Sequence, residues 1–161
     1  MGKISAEFQI LFHPDMKMIP KEVALVYTFD GKSYDDIFAN KITEKNWDVS
    51  VYDLSEGQKM EFFVRCVLKD GRLMLGRKEG KNYQIQIRVN TESGGYKAQI
   101  RLADENMVYA GRRCLICDQI IPKDQNMCKT EQCHATFCPQ CNRMLPPYSN
   151  FCPWDKISFK I

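Results

Sequence analysis

Seven of the eight cysteines in this 161-residue chain fall between Cys114 and Cys152, in the pattern Cys114-x2-Cys117-x10-Cys128-x4-Cys133-x4-Cys138-x2-Cys141-x10-Cys152-x2-Asp155. The 42 residues from Cys114 to Asp155 carry few large apolar side chains, and so short a segment does not build a sufficient core without a staple. A C-x2-C turn delivers two thiolates from a single knuckle, and a structural zinc ion needs four such donors in a tetrahedron. Two ions need eight. The cysteines supply seven, and Asp155 stands where the last knuckle would have its second cysteine, so a carboxylate oxygen becomes the eighth donor. His134 is the substitute for Cys133, because neighbouring residues rarely hold the same ion. The expectation is two structural Zn2+ ions, whose binding supplies the folding energy of the segment.

Composition places the chain. It is 44% hydrophobic and 27% charged, with no run long enough to cross a bilayer. The opening "MGKISAEFQILFHPD" is interrupted by Glu7 and Gln9 and does not read as a secretory signal, so a cytoplasmic, reducing compartment is expected. There clustered cysteines serve as metal ligands rather than disulfides. Residues 114–161 carry 5 Lys+Arg against 4 Asp+Glu. Seven thiolates holding two divalent ions would take that segment from a net charge of +1 to −2, which argues against a nucleic-acid-binding finger.

The first hundred residues alternate apolar and polar side chains, the period of half-buried strands. In "WDVSVYDL" Trp47, Val49 and Val51 share one face; in "MEFFVRCVL" Phe62, Val64, Cys66 and Leu68 do, and that run reads as a central strand. "YQIQIRV" sets Tyr83, Ile85, Ile87 and Val89 inward, and "YKAQIRL" does so with Tyr96, Ala98, Ile100 and Leu102. With "EFQILFH", "VALVYTF" and "RLMLG" there are seven candidate strands, separated by Asp30-Gly31, Glu56-Gly57, Asp70-Gly71, Glu79-Gly80 and Ser93-Gly94-Gly95. The fold class is mainly β: an antiparallel sandwich of immunoglobulin-like type over 1–102, a linker over 103–113 containing Gly111, and a two-zinc domain over 114–161. A helical turn or two is expected around "SYDDIFAN". Cys66 reads as a small buried hydrophobe rather than a nucleophile.

"VALVYTFDG", "NWDVSVYDL", "MEFFVRCVLKDGR" and "GKNYQIQIRV" together resemble the starch-binding-module style of early-set sandwich. That resemblance implies the fold and a capacity to bind glucans by stacking exposed aromatic rings on sugars. The alternation, however, puts Trp47 inside.

Two partitions of the eight ligands fit the spacing. A shift of 24 residues maps Cys114, Cys117, Ile121, Pro122 and Cys128 onto Cys138, Cys141, Leu145, Pro146 and Cys152. This internal repeat resembles a double zinc ribbon, with Cys114, Cys117, Cys128 and Cys133 on one ion and Cys138, Cys141, Cys152 and Asp155 on the other. Alternatively "CLIC", "TFCPQC" and "FCPWDK" resemble a RING finger, in which ligand pairs alternate between ions. Cys114, Cys117, Cys138 and Cys141 would then share one ion, and Cys128, Cys133, Cys152 and Asp155 the second. The RING resemblance implies that Ile116 and Pro153 dock a ubiquitin-conjugating enzyme and that Lys156 contacts the conjugated ubiquitin.

No constellation for intrinsic chemistry is visible, because every plausible ligand is needed to close the two sites and neither histidine has a nucleophile to serve. If there is any catalysis, it is that of a RING-type ligase acting as a scaffold. The expected protein is a two-part, non-membrane recognition molecule. Its sandwich captures a client while the zinc module engages a protein partner, with ubiquitin-type machinery as one partner class. A non-enzymatic double-ribbon adaptor and a glucan-binding protein with a structural zinc part are the alternatives.

Overall fold

A computed structural model describes residues 3–89 and 95–161. Among these the regular structure is β throughout apart from one short 3-10 turn at Asp104–Asn106. The strands are β1 (Ile4–Phe12), β2 (Pro20–Thr28), β3 (Asp35–Phe38), β4 (Asn40–Thr43), β5 (Asn46–Leu54), β6 (Lys59–Leu68), β7 (Arg72–Gly76), β8 (Tyr83–Gln86), β9 (Tyr96–Leu102), β10 (Met107–Arg113), β11 (Ile120–Pro122), β12 (Thr136–Phe137), β13 (Met144–Leu145), β14 (Phe151–Cys152) and β15 (Ile157–Ser158). The mainly-β class expected from the alternation is the one observed. The chain divides into two compact units, residues 1–66 with 75–108 and residues 67–74 with 109–161.

In the first unit β4, β5, β1 and β9 form one sheet in that order, and β3, β2 and β6 belong to a second, with β8 also paired to β6. The two faces meet at Phe8 of β1 and Phe62 of β6, whose ring centroids lie 5.4 Å apart. Phe62 also stacks on Tyr83 of β8 at 5.1 Å and 9°. Alternation sorts the side chains as anticipated: Trp47, Val49 and Val51 of β5 are buried, as are Phe62, Val64 and Cys66 of β6; Leu68, also buried, falls in the part of β6 that belongs to the second unit. Burying an aromatic or branched side chain contributes about 1.5–3 kcal/mol each, so these inward rows dominate the stability of the unit.

Three expectations change. The stretch "SYDDIFAN" is not helical, because Asp35–Phe38 pair with Tyr27–Ala24 as an added edge strand. The amide of Ala39 then donates to the Val23 carbonyl at 2.8 Å, after which the chain continues into β4. A waiting edge of unpaired backbone groups outweighs a weak local helical preference. Val89, expected to face inward, is 36% exposed and lies beyond β8, which ends at Gln86. The sheet is also not wholly antiparallel: β1 and β9 run parallel from Ala6↔Tyr96 to Phe12↔Leu102. They are joined through all the intervening strands, so no hairpin dictates their sense. The expected turn at Ser93-Gly94 falls outside the described residues.

In the second unit β7, β10 and β11 follow one another in a sheet, and two small hairpins, β12–β13 and β14–β15, complete the regular structure. Part of the expected linker is therefore strand, since Met107–Arg113 form β10. Gly111 misleads in the sequence because glycine commonly marks a break. Here its φ is 139°, and a Cβ would sit 2.2 Å from the Ile121 carbonyl oxygen of β11. The glycine permits close approach of two backbones rather than a flexible joint.

Candidate metal centres

Each half of the cysteine-rich unit begins with the same turn. The Cys114 amide donates to the Gln119 carbonyl (2.8 Å), and the Asp118 amide donates back to the Cys114 carbonyl (3.0 Å). Twenty-four residues later the Cys138 amide donates to Arg143 (3.0 Å), and the Asn142 amide donates to Cys138 (2.9 Å). Asp118 and Asn142 both take the left-handed conformation, with φ of 65° and 62°. Asn and Asp tolerate that region better than other side chains, which is why the knuckle can close with them.

The second ligand pairs repeat too, with a loop shorter by two residues. The Phe137 amide donates to the Asn126 carbonyl at 2.8 Å, and the Phe159 amide donates to Asn150 at 2.8 Å. Past the shortened loop the correspondence is thus 22 residues, which matches Cys133 to Asp155 and His134 to Lys156. His134 and Lys156 are both left-handed, with φ of 53° and 55°. Each half also owns a small core. Ile121, Ala135 and Phe137 pack with the first cysteines, and Leu145, Ile157 and Phe159 with the second set.

The donor atoms converge in consecutive fours. The sulfurs of Cys114, Cys117, Cys128 and Cys133 lie within 4.8 Å of one another, as do those of Cys138, Cys141 and Cys152 with a carboxylate oxygen of Asp155. Individual separations are 3.6 Å for Cys114–Cys133, 3.4 Å for Cys117–Cys128 and 3.8 Å for Cys141–Cys152, and the Cys138 sulfur is 3.2 Å from Asp155 Oδ2. Thiolates 2.3 Å from a tetrahedral zinc would be separated by about 3.8 Å, whereas a disulfide needs about 2.05 Å. All eight cysteines are free thiols. Both groups could hold a metal ion.

This grouping corrects the alternating partition. Cys138 and Cys141 gather with Cys152 and Asp155, not with Cys114 and Cys117. Short hairpins present the last two ligand pairs: β12–β13 encloses Cys138 and Cys141, and β14–β15 encloses the turn from Cys152 to Asp155. His134 belongs to neither group. It stacks on Tyr148 at 4.8 Å and 27°, and its Nδ1 is buried without a partner.

Electrostatics suits cations. The amide of Gln119 and then the Thr130 side chain draw the Cys117 thiol down to about 6. Hydrogen bonds from the Cys141 and then the Cys138 thiols hold Asp155 below the usual carboxylate range. The same carboxylate, followed by desolvation, pushes Cys141 up to about 12. Without a metal, crowded thiols share few negative charges among them; a divalent cation would displace the remaining protons.

The other expected residues are at the surface. Ile116 is 63% exposed beside exposed Leu115, and Pro153, Trp154 and Lys156 are exposed at the last knuckle. Arg143 lies 4.8 Å over the Trp154 ring. In the first unit Trp47 is 4% exposed and donates its indole N–H to the Glu44 carbonyl, leaving no free indole face. Nothing in the sequence marks Arg112 and Asn142 as buried polar groups with atoms left unpartnered; the strand and the turn that carry them do so. No helix among the described residues is long and apolar enough to cross a membrane.

No protein-family profile matches the chain, and no curated protein matches it. Among solved structures, a glycoside hydrolase family 15 glucoamylase from Hypocrea jecorina is similar over 63% of this chain, at 11% identity and a TM-score of 0.47. The chain spans 17% of that enzyme's length.

Proposed function

We propose that residues 114–161 are a double zinc ribbon-like module that binds two structural Zn2+ ions, and that the whole chain is a non-enzymatic protein-interaction adaptor. The observation that carries the reading is the convergence of consecutive ligands into two closed sets of four, each over its own small core. Sulfur-rich tetrahedral donor sets select zinc over magnesium or calcium, and four protein ligands leave no position for a reactive water. Zinc here acts on folding, not on a substrate.

The interaction role rests on what the module presents. Leu115, Ile116, Pro153 and Trp154 project from metal-held knuckles, with Lys156 beside the last of them. Rigid turns carrying exposed apolar side chains are economical docking elements, because little ordering entropy remains to be lost on binding. The sandwich over 1–102 would hold a client. A ubiquitin-conjugating enzyme is one partner class for the module, although the consecutive ligand grouping favours the ribbon over the RING. Buried Trp47 likewise weighs against a sugar platform built on that ring.

Native mass spectrometry of the purified chain tests the metal reading, with two zinc ions per chain expected. Cobalt substitution then assigns the sites. Paramagnetic relaxation of Cys114 and Cys128 by one ion supports the ribbon; coupling of Cys114 to Cys138 overturns it. Partner capture that is lost in Ile116→Ala, with metal content unchanged, supports the adaptor role.

A further inference from the structure

The two halves of the cysteine-rich unit share one scaffold, so exposed positions at which they differ stand out against an internal control. Each knuckle closes when its first cysteine amide donates to a carbonyl, that of Gln119 in the first half and of Arg143 in the second. The residue before the fourth donor is Gln132 in the first half and Trp154 in the second. Where the first half has two exposed glutamines, the second has a guanidinium 4.8 Å over an indole ring. Arg143 and Trp154 are both at the surface, and Trp154 is 58% exposed. One indole face lies under the guanidinium, which leaves the other open to solvent.

Charge divides the halves in the same way. Residues 114–137 carry Lys123 and Lys129 against Asp118, Asp124 and Glu131, all of them exposed. Residues 138–161 carry Arg143, Lys156 and Lys160, and their one carboxylate, Asp155, belongs to the donor set. Asp70 of the same unit is already paired with Arg72 at 2.7 Å. The second half therefore carries cations that no free carboxylate of its own offsets, and Lys156 stands two residues beyond the open ring.

Trp and Arg are the side chains that most often form the energetic centre of a protein interface. Here the ring is held beforehand by its cation and by the metal-bound turn, so docking immobilises little. An apolar side chain laid on the open indole face would shed its water, while carboxylates beside it would meet Arg143 and Lys156. A nucleic-acid base would also stack on the ring, yet two cations next to a net-negative metal–thiolate centre neutralise few phosphates. We propose, building on the adaptor reading above, that the Arg143–Trp154 pair docks an acidic polypeptide segment with an aromatic or branched apolar residue among its carboxylates.

Selection of a random-peptide display library on the metal-loaded full chain tests the site. The retained peptides should be rich in Asp and Glu around one apolar residue. A synthetic peptide from that pool should shield Trp154 from acrylamide quenching, a signal to which Trp47, at 4% exposure, adds little. Arg143→Gln and Trp154→Gln, which install the residues of the first half, should each weaken binding at least about tenfold. Asn and Gln in place of the peptide's acids should weaken it as much. Gln119→Ala should change nothing, and native mass spectrometry should count two zinc ions in every variant. Retained peptides without acidic enrichment, undiminished binding in either substituted chain with both ions present, or no retained peptide at all would overturn the proposal and leave the zinc module standing. Stronger shielding of Trp154 by single-stranded oligo-dT than by the peptide would also overturn it, by assigning the pair to nucleic acid. A chain without zinc would overturn the ribbon reading and this site with it, an outcome that the ion count distinguishes from the others.

Discussion

Cys133 and Asp155 occupy the same place in two successive copies of one turn, a thiolate in the first half and a carboxylate in the second. The left-handed residues that follow them, His134 at φ 53° and Lys156 at φ 55°, fix the equivalence. It has a direct consequence for each ligand set. Asp155→Cys should retain two metals and tighten the second site, because a fourth thiolate replaces a harder oxygen donor. Asp155→Ala should lower the stoichiometry from two to one, measured by native mass spectrometry.

His134 and Cys133 separate by the same measurement. His134→Ala should keep both ions, since its ring stacks on Tyr148 and approaches neither donor set. Cys133→Ala should lose the first ion alone.

Metal removal should unfold the cysteine-rich unit. Binding at such sites is worth about 10–16 kcal/mol per ion near neutral pH, more than the stability of a small domain. Chelation should erase amide protection across 114–161 while β1, β5 and β9 keep theirs, as read by hydrogen exchange. The thiolates must be deprotonated to bind, so affinity falls as pH falls; lowering the pH from about 7 to about 5 should release both ions.

Cys66 gives a pH dependence of the opposite sense. Burial pushes its thiol from 9.0 to about 12. Below about pH 9 both folded and unfolded chains keep the proton, so stability is unaffected. Between about 9 and 12 only the unfolded chain releases it, and stability falls by about 1.4 kcal/mol per pH unit. Denaturant unfolding at about pH 8 and about pH 10.5 should show wild type losing about 2 kcal/mol more than Cys66→Val.

Gly111→Ala should destabilise the second unit by about 3 kcal/mol, since the new Cβ would meet the Ile121 carbonyl oxygen at 2.2 Å and backbone cannot yield as a flexible side chain does. Thermal unfolding of the metal-loaded protein checks this.

The long strands of the first unit were legible because a period of two over nine residues, as in β5, leaves little ambiguity about which face is buried. The donor residues were legible because thiols at knuckle spacing have few other uses. What escaped was decided by partners far away in sequence. β3 forms because β2 offers an edge, and β10 because β11 needs a glycine opposite it. The pairing of ligand sets escaped spacing alone: two partitions satisfied it equally, and only the folded positions of the donor atoms put Cys152 and Asp155 with Cys138. Strands of two residues such as β12 and β14 carry no period at all.

A carboxylate in the second half where the first has a thiolate makes the duplicated halves chemically unequal. One pocket is all sulfur and the other includes an oxygen, so their ions should exchange at different rates. A chain stripped gradually would pass through a half-loaded species, its first half still closed and its second already open. Loss of metal from such a molecule would then proceed in two steps rather than one.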